Sequence, residues 1–391
     1  MLEYVKIENY RSLANVQLEM RPLTVLIGPN GGGKSNFLDA LLLLAQGANG
    51  DLARGVERRF GMQSLVYEGA EPSFRKIFLE LRFGTEGVFN EERAPVSYKL
   101  QLSEDEFAAK VSYEQLSKEP APPAYSLTLM HRKGSACDFR SVLTGAKETE
   151  SKRIEHADEL AIYQVRDQTA YPTPYKLLRQ LQDWAFYHPL DVLPDSPIRA
   201  PQLTRAGTRL SRSGENLASV LYAIQQQHPT TWQEINEYLQ AICPAFRHMT
   251  FPPEGGDGKI VLRWWEHPFE RQRGFSANLL SDGTMRFLAL LAVLKSPDPP
   301  PLICIDEPEA GLHPAWVAAV GELLRAASAN TQVVVSTHSP ELVSSVDPES
   351  VVVVEKEDGS TILERLSAGE LEGWLDEFRL GDLWLSGQVG G

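Results

Sequence analysis

The chain has 391 residues, of which 42% are hydrophobic and 23% are charged, and its formal net charge is −14. This composition is typical of a globular protein with a sizeable core, so it excludes a largely disordered chain. The acidic balance argues against a protein that coats nucleic acid nonspecifically, because phosphate contacts need clustered lysine and arginine. The composition does not exclude a local basic patch.

Cysteine usage and the opening residues exclude further classes. Cys137, Cys243 and Cys304 are far apart and lack metal-ligand spacing, so neither a disulfide scaffold nor a zinc site is expected. The opening residues, MLEYVKIENYRSL, carry early charges and no apolar run of the kind that signal peptides have. The apolar run at 40–45 is too short to span a bilayer. We therefore predict a cytoplasmic protein that makes no contact with a membrane.

The first part of the chain alternates strands with turns and then opens into a helix. Strands are predicted at 3–8, 15–20, 23–27, 76–83 and 96–102. The first two are joined by a turn near Arg11 and Ser12, and a glycine-rich turn at 28–33 leads into a buried helix over 34–46. The middle of the chain is less regular, because proline-rich stretches interrupt it at 119–124, 171–174 and 189–201. Helices are predicted there around 174–186, 214–227 and 230–242, and no heptad run predicts a long coiled coil.

From residue 276 the pattern is clear again. Helices are predicted at 282–295 and 314–327, strands at 302–305 and 332–336, and a hairpin at 351–355 and 361–364 with its turn at Asp358 and Gly359. Apolar strands that alternate with helices indicate a parallel sheet covered on both faces.

Residues 28–35, GPNGGGKS, follow a predicted strand and open a predicted helix. This is the pattern and the context of a phosphate-binding loop, in which glycines let backbone N–H groups turn inward toward phosphate oxygens. The helix N-terminus adds the positive end of its dipole. Lys34 supplies a charge for the β and γ phosphates of a nucleotide, and Ser35 offers a hydroxyl to Mg²⁺. The alternative, a glycine-rich turn with a surface lysine, does not account for this context.

Polar residues also follow two predicted strands. Asp306 and Glu307 end the apolar strand LICIDE, where burying two carboxylates is costly unless they serve a purpose. Asp306 is predicted to bind Mg²⁺ directly or through water, and Glu307 to orient or deprotonate an attacking water. His338 follows the strand VVVST and could donate a hydrogen bond to the γ-phosphate. A solvated strand end and a structural histidine are the alternatives.

Four segments, GPNGGGKS at 28–35, LLSDGTMR at 279–286, LICIDEPEAGLHP at 302–314 and VVVSTHSP at 333–340, occur in this order. Together they resemble the ABC ATPases, and within these the RecF, SMC and OLD branch of "AAA family ATPases". The resemblance covers roughly residues 1–85 and 275–391. It implies a P-loop ATPase core with a mainly parallel sheet, helices on both faces and N-terminal antiparallel strands, interrupted by an inserted α+β lobe. The implied domains are 1–85, 86–275 and 276–391.

The resemblance also implies the roles of single residues. The Walker A residues, which would hold ATP, are Gly28, Asn30, Gly31, Gly33, Lys34, Ser35 and Asn36. Asp306 and Glu307 match Walker B, with Asp306 and Ser35 at the metal and Glu307 as the catalytic carboxylate. His338 matches the switch histidine. Ser281 and Gly283 match the signature motif, which contacts ATP held by a second subunit, so a head-to-tail, ATP-dependent homodimer is implied. A plain helix cap by Ser281 or Asp282 is the alternative, and both can hold together.

The sequence departs from the family pattern at a few positions. The signature is LSDGT rather than LSGGQ, so Asp282 replaces a glycine close to the expected phosphate, which leaves open how tightly this half-site holds ATP. Leu312 and His313 follow Walker B where transporters have Leu-Asp. No glutamine loop is identified, although Gln63 is a candidate, and Arg11 could reach the nucleotide from the first turn.

Two functions are consistent with these residues. The first is a nucleotide-switched protein in DNA repair, recombination or phage defence, which would act on DNA or gate a separately encoded nuclease or effector. Two basic clusters could serve it: Arg199, Arg205, Arg209 and Arg212, and a group that mixes cations with tryptophans, Arg263, Trp264, Trp265, Arg271 and Arg273. The second is an ATP-gated regulatory module that binds a partner protein and no nucleic acid. A transporter subunit is disfavoured, because the segment before the signature is too long and too mixed, and the chain after His338 is too short for an OLD-type nuclease domain.

Overall fold

The computed structural model describes residues 1–70, 75–85, 89, 94–105, 108–119, 126–143, 149–267, 274–369, 371, 373–374 and 377–390. The chain forms two compact units. The first comprises Met1–Trp184, Val352–Leu366 and Gly390–Gly391, and the second comprises Ala185–Val351 and Ser367–Val389. The predicted domains at 1–85, 86–275 and 276–391 stay a prediction.

The strands include all those predicted from alternating and apolar patterns. In chain order they are β1 (Leu2–Tyr10), β2 (Leu13–Glu19), β3 (Leu23–Ile27), β4 (Lys76–Phe83), β5 (Val96–Asp105), β6 (Ala108–Lys118), β7 (Leu127–Lys133), β8 (Ala136–Arg140), β9 (Thr149–Arg153), β10 (Ala185–Tyr187), β11 (Gln202–Leu203), β12 (Phe246–Thr250), β13 (Lys259–Ile260), β14 (Arg263–Glu266), β15 (Phe275–Ser276), β16 (Leu302–Asp306), β17 (Gln332–Ser336), β18 (Val351–Glu357) and β19 (Ser360–Arg365).

The helices also follow the predicted pattern closely. They are α1 (Lys34–Ala48), α2 (Leu52–Glu57), α3 (Met62–Leu65), α4 (Pro172–Gln182), α5 (Leu217–Gln227), α6 (Pro229–Ile242), α7 (Asp282–Leu294), α8 (Pro314–Ala327), α9 (Pro340–Val343) and α10 (Leu380–Leu385). One prediction was wrong at its end: the helix expected to reach residue 186 ends at Gln182, and residues 185–187 form β10. Pairing of these residues with a buried strand outweighs their helix propensity.

The first unit is built on an antiparallel sheet with the strand order β2-β1-β4-β5-β6-β7-β8-β9. Helix α1 packs against β1 and α4. The wholly buried strand β3 lies beside β18, and β18 pairs with β19 as the predicted hairpin. Strands β6 to β9 were not predicted. The outermost, β9, exposes most of its side chains, so it carries no apolar alternation that a pattern could detect.

The second unit contains the parallel strands β10, β16 and β17, in that order. Tyr187 lies opposite Ile305, and Asp306 lies opposite Ser336. Because parallel strands end at the same edge of a sheet, the residues that follow these three strands meet at one edge. Helix α8 packs against β17 and α7, and β12, β14 and β15 form a small antiparallel sheet. Over the part of the chain that is described, no helix has both the length and the apolar character needed to cross a membrane.

Candidate functional site

The glycine-rich loop at 28–35 has a backbone that only glycine can adopt. Gly28 and Gly33 have φ angles of 139° and 118°, in the left-handed half of the map. A Cβ on Gly28 would lie 2.1 Å from the carbonyl oxygen of Val354, and one on Gly33 would lie 2.2 Å from Thr361 Oγ1. The loop therefore packs directly on the β18–β19 hairpin, and side chains at either glycine would push it away.

Lys34, the first residue of α1, is nearly buried although it carries a charge, with 5% of its surface exposed. Its Nζ donates to the carbonyl oxygens of Gly28 and Pro29 at 2.8 and 2.9 Å, so the ammonium group lies across the mouth of the loop. No side chain caps the N-terminus of α1, whose first N–H groups face in the direction that suits an anion. Asn30, Gly31 and Ser35 are exposed on this loop.

A chain of hydrogen bonds anchors the glycine-rich loop to the β18–β19 hairpin and the β1–β2 turn. The buried hydroxyl of Thr361 donates to the Gly32 carbonyl oxygen at 2.7 Å and lies 2.8 Å from Ser12 Oγ. The backbone N–H of Thr361 donates to the Ser12 carbonyl oxygen, and Asn36 Nδ2 donates to Ser12 Oγ at 2.8 Å. Thr361 thus joins the β1–β2 turn, the glycine loop and α1 at one point.

Replacing Thr361 by valine should weaken ATP binding by about fivefold while the protein stays folded. Valine keeps the volume of threonine but loses the hydrogen bond to Gly32, which is worth about 1 kcal/mol. Binding of a fluorescent ATP analogue would measure the effect, with Thr149→Val on the exposed strand β9 as the matched control. Unchanged affinity would show that the loop keeps its shape without Thr361.

Arg11 and Gln63, the two weaker candidates, lie in the first unit and already have side-chain partners. Arg11 contacts Asn36 Oδ1 at 3.4 Å and Asp39 Oδ2 at 3.2 Å. Arg59 also donates to Asp39, and although burial raises the pKa of Asp39, the hydrogen bonds and charge of Arg59 more than offset this and lower it. Gln63 lies on α3 and donates to Glu104 at 3.2 Å. The nucleotide roles of both residues stay predictions.

Glu307 lies just beyond β16 in a strained backbone conformation. Its φ of 49° is unusual for a residue with a side chain, and its N–H donates to the Ser336 carbonyl oxygen at 3.0 Å. This turn directs a half-exposed carboxylate toward His338, with Glu307 Oε1 lying 3.8 Å from His338 Nε2. The carboxylate of Asp306 accepts a hydrogen bond from Ser336 Oγ. Strain at a polar strand end is typical of functional sites.

Glu309 holds the segment that carries the histidine, a role that no local sequence pattern predicts. Its Oε1 accepts hydrogen bonds from Thr337 Oγ1 and from the backbone N–H of His338, both at 2.7 Å. Its Oε2 is buried and has no hydrogen-bond partner among the described residues. Glu309 therefore ties the loop after β16 to the residues that follow β17.

Replacing Glu309 by alanine should lower kcat about tenfold or more without preventing ATP binding. Both bonds that fix Thr337 and His338 would be lost, so the histidine would no longer be held beside Glu307. Steady-state hydrolysis and equilibrium binding would separate the two effects, and Glu322→Ala on the exposed face of α8 serves as the control. A kcat equal to that of the control would remove Glu309 from any positioning role.

His188 is a further residue at this edge that the sequence analysis missed. It follows β10, and its Nδ1 lies 3.6 Å from Asp306 Oδ2. The segment AFYHP does contain the signal used for the other two strands, a short apolar run followed by a polar residue. It was overlooked because a helix was predicted through residue 186.

The signature segment begins α7. Ser281 caps this helix, since its Oγ accepts from the Thr284 N–H at 3.1 Å, as the helix-cap alternative predicted. A Cβ on Gly283 would lie 2.9 Å from the Gly311 carbonyl oxygen, so glycine allows the loop after β16 to approach the helix. Ser281 and Gly283 line an open groove together with Trp316. The cap does not exclude the signature role, which stays a prediction.

The comparison with protein families decides the affiliation of the chain. Residues 23–344 match AAA_21, the family described as "AAA domain, putative AbiEii toxin, Type IV TA system". The chain belongs to this family. The predicted membership of the ABC-type, SMC-like ATPases is therefore confirmed, together with the α/β fold class.

Solved structures and one curated protein are also similar to this AAA_21 protein. An SMC head bound to the C-winged helix domain of ScpA superimposes with a TM-score of 0.56 at 16% identity, covering 94% of this chain and 99% of that one. The SMC head bound to the C-terminal domain of ScpA, derived from Pyrococcus furiosus, gives 0.55 at 14% identity, covering 96% and 98%. The DNA double-strand break repair Rad50 ATPase of Methanopyrus kandleri is 50% identical over 44 residues, which are 11% of this chain and 5% of Rad50. The structural likeness shows the fold.

The side chains of this AAA_21 protein fit a magnesium nucleotide better than a free metal ion. Among the described residues there is no group of three or more His, Cys, Asp or Glu side chains that could hold a metal. Mg²⁺ bound with a nucleotide needs only one or two protein ligands, because phosphates and water supply the rest. Ser35 of the first unit and Asp306 of the second are oxygen donors of the kind that such a nucleotide needs, and their role as its ligands stays a prediction.

Proposed function

We propose that this AAA_21 protein binds ATP with Mg²⁺, hydrolyses it to ADP and phosphate, and works as a cytoplasmic switch that dimerises head to tail when ATP is bound. The observation that carries the proposal is the pairing of Glu307 with His338 at the ends of two neighbouring parallel strands, beside Asp306. The glycine loop with its buried Lys34 supports it from the other unit.

Each side chain has a distinct part in the proposed reaction. Lys34 would exchange its two carbonyl partners for phosphate oxygens, and the N–H groups at the start of α1 would bind the same phosphates. Glu307 would orient the attacking water and accept its proton, while His338 donates a hydrogen bond to the γ-phosphate. Mg²⁺, held by Ser35 and Asp306, would supply charge neutralisation at the β and γ phosphates.

The dimer follows from the predicted signature. Ser281 and Gly283 of one copy would contact the ATP held by the other copy, through the hydroxyl and the N-terminal N–H groups of α7. Nucleotide would then be part of the interface, and hydrolysis would release it. ATP would therefore act as a switch, because the dimer is favoured only while the γ-phosphate is present.

For the biological role we propose DNA repair or phage defence, acting on DNA or gating a separate nuclease or effector. The Rad50 relative is named for double-strand break repair, and the family description names a toxin system. The bound partner in the similar SMC structures is a domain of ScpA, which favours a partner protein at the ATPase head. These names and titles describe the similar proteins, and they support the proposal for this chain by analogy.

A second candidate function is an ATP-gated module that makes no contact with nucleic acid. It is favoured by the burial and ion pairing of side chains in the two basic clusters. Arg199 is buried and Arg209 pairs with Asp298 at 3.3 Å. Trp264 of β14 is buried, and its ring lies against that of Phe246 in β12. Arg271 and Arg273 lie outside the described residues. The basic side chains available to phosphates are therefore fewer than the sequence suggested.

Steady-state ATP hydrolysis with and without single- and double-stranded DNA, at two salt concentrations, tests the proposal and separates its two forms. Stimulation by DNA that fades with salt would support the DNA-directed form, because counterion release makes such binding salt dependent. Turnover that ignores DNA would favour the protein-gated module. Absence of hydrolysis above that of a Lys34→Ala variant would contradict ATPase activity itself.

A further inference from the structure

Arg199 is a buried arginine whose N–H groups donate to the signature segment, residues 277–282, and to Val192. It exposes 5% of its surface. Nε donates to the Val192 carbonyl oxygen at 2.6 Å, and Nη1 donates to the carbonyl oxygens of Ala277 and Leu280, the latter at 2.8 Å. Nη2 forms an ion pair with Asp282 Oδ1 at 2.6 Å. One guanidinium thus holds three points within six consecutive residues, 277–282.

Asp282 is the residue that departs from the usual signature. A carboxylate there would repel a γ-phosphate bound at the N-terminus of α7, by an amount that grows as water is excluded. The ion pair with Arg199 offsets this charge. It also restrains Asp282, which is about half exposed and could otherwise turn toward a bound anion.

The segment that carries Arg199 also reaches the sheet edge at which β10 and β16 end. It starts at His188, whose Nδ1 lies 3.6 Å from Asp306 Oδ2. Within it, Leu190 accepts a hydrogen bond from Arg286 Nε at 3.4 Å, while Arg286 Nη1 donates to the Ala310 carbonyl oxygen at 3.1 Å. Residues 188–199 therefore form a strap between the end of β16 and the signature segment.

We propose that Arg199 is a positioning residue that sets the signature segment for the nucleotide of a second copy, and that the Arg199–Asp282 pair replaces the missing glycine of the usual motif. The proposal rests on the proposed function, since it assigns Arg199 to the half-site completed by Ser281 and Gly283. Arg199 itself touches no nucleotide. It acts by holding the carbonyl groups of 277 and 280 and by cancelling the charge of Asp282.

The test uses the full chain with Arg199→Gln, Asp282→Gly and the double variant, and Arg209→Gln as a matched surface control. In a Glu307→Gln background, ATP-dependent dimerisation measured by analytical ultracentrifugation should weaken at least tenfold for Arg199→Gln. Fluorescent ATP binding to the monomer should be unchanged, because Arg199 lies outside the glycine loop. The double variant should recover part of the loss, since removal of the carboxylate removes the repulsion.

One further measurement and one further variant decide the outcomes that dimerisation alone would leave open. Hydrogen exchange of the amides at 277–284, measured without nucleotide, should accelerate in Arg199→Gln and not in Arg209→Gln. If the wild-type chain binds no ATP, the proposed function fails, and the exchange result still decides whether Arg199 holds the segment. If Arg199→Gln does not fold, Arg199→Lys, which keeps the charge but loses the forked geometry, replaces it and should show the same weakened dimer. Dimerisation and exchange equal to those of Arg209→Gln would overturn the proposal.

Discussion

Replacing Lys34 by alanine should abolish nucleotide binding. The lysine is the only side chain predicted to place a positive charge against the β and γ phosphates, and it already lies across the loop mouth on the carbonyl oxygens of Gly28 and Pro29. The substitution removes this charge from a site where water is partly excluded, so the loss is larger than for a surface lysine. Equilibrium binding of a fluorescent ATP analogue is the direct measurement.

Folding of the Lys34→Ala variant must be shown separately, because the lysine also ties the loop together. Circular dichroism and thermal unfolding serve this purpose, and Lys356→Ala on the exposed end of β18 is a matched control for loss of a positive charge. Tight ATP binding by a folded Lys34→Ala protein would remove the phosphate-binding assignment of residues 28–35. The loop would then be a structural turn that packs on the β18–β19 hairpin.

Replacing Glu307 by glutamine should leave ATP binding intact, lower kcat by about a hundredfold or more, and make the dimer accumulate. Glutamine has the size of glutamate but cannot accept the proton of an attacking water, which is the kind of contribution that general bases make. Since hydrolysis is what would release the interface, ATP should hold the two copies together. Single-turnover hydrolysis and analytical ultracentrifugation with ATP measure the two effects.

Glu322→Gln on the exposed face of α8 controls for the change of charge. Normal turnover by Glu307→Gln would show that the carboxylate is not the base, and attention would move to the imidazole groups of His188 and His338 at this edge. Slow turnover without a dimer would keep Glu307 in catalysis and contradict the head-to-tail switch. The two outcomes are therefore separable in one variant.

Much of the fold was predictable because the relevant signals are local. The helix at Pro314–Ala327 and the strands at Leu23–Ile27 and Gln332–Ser336 were predicted to the residue, since each is a short run of consistent propensity with clear ends. β9 was missed because its side chains are exposed, and β10 because the helix predicted around 174–186 overlaps it. For such strands the pairing partner decides the conformation.

The candidate site shows the same division. The glycine-rich loop, the Walker B carboxylates and the switch histidine were predictable from sequence. Each lies in a continuous segment whose residue types indicate its chemistry. The residues that hold these motifs were not found. Thr361 bonds Gly32 across 329 positions of sequence, and Arg199 bonds Asp282 across 83. Arg199 even looked like a surface cation suited to DNA, and only its burial corrected that reading.

The amino-acid sequence by itself determined the ATPase family and the order of the core elements, and it predicts which residues would meet phosphate, metal and water. It could do so because φ preferences of glycine, apolar periodicity and charge are properties of single residues and their near neighbours. The tertiary structure alone decided that Asp282 forms an ion pair with Arg199, that Glu309 holds the histidine segment and that His188 lies by Asp306. Each of these depends on groups brought together from distant segments, and folding has to pay the entropy of ordering them before any contact forms.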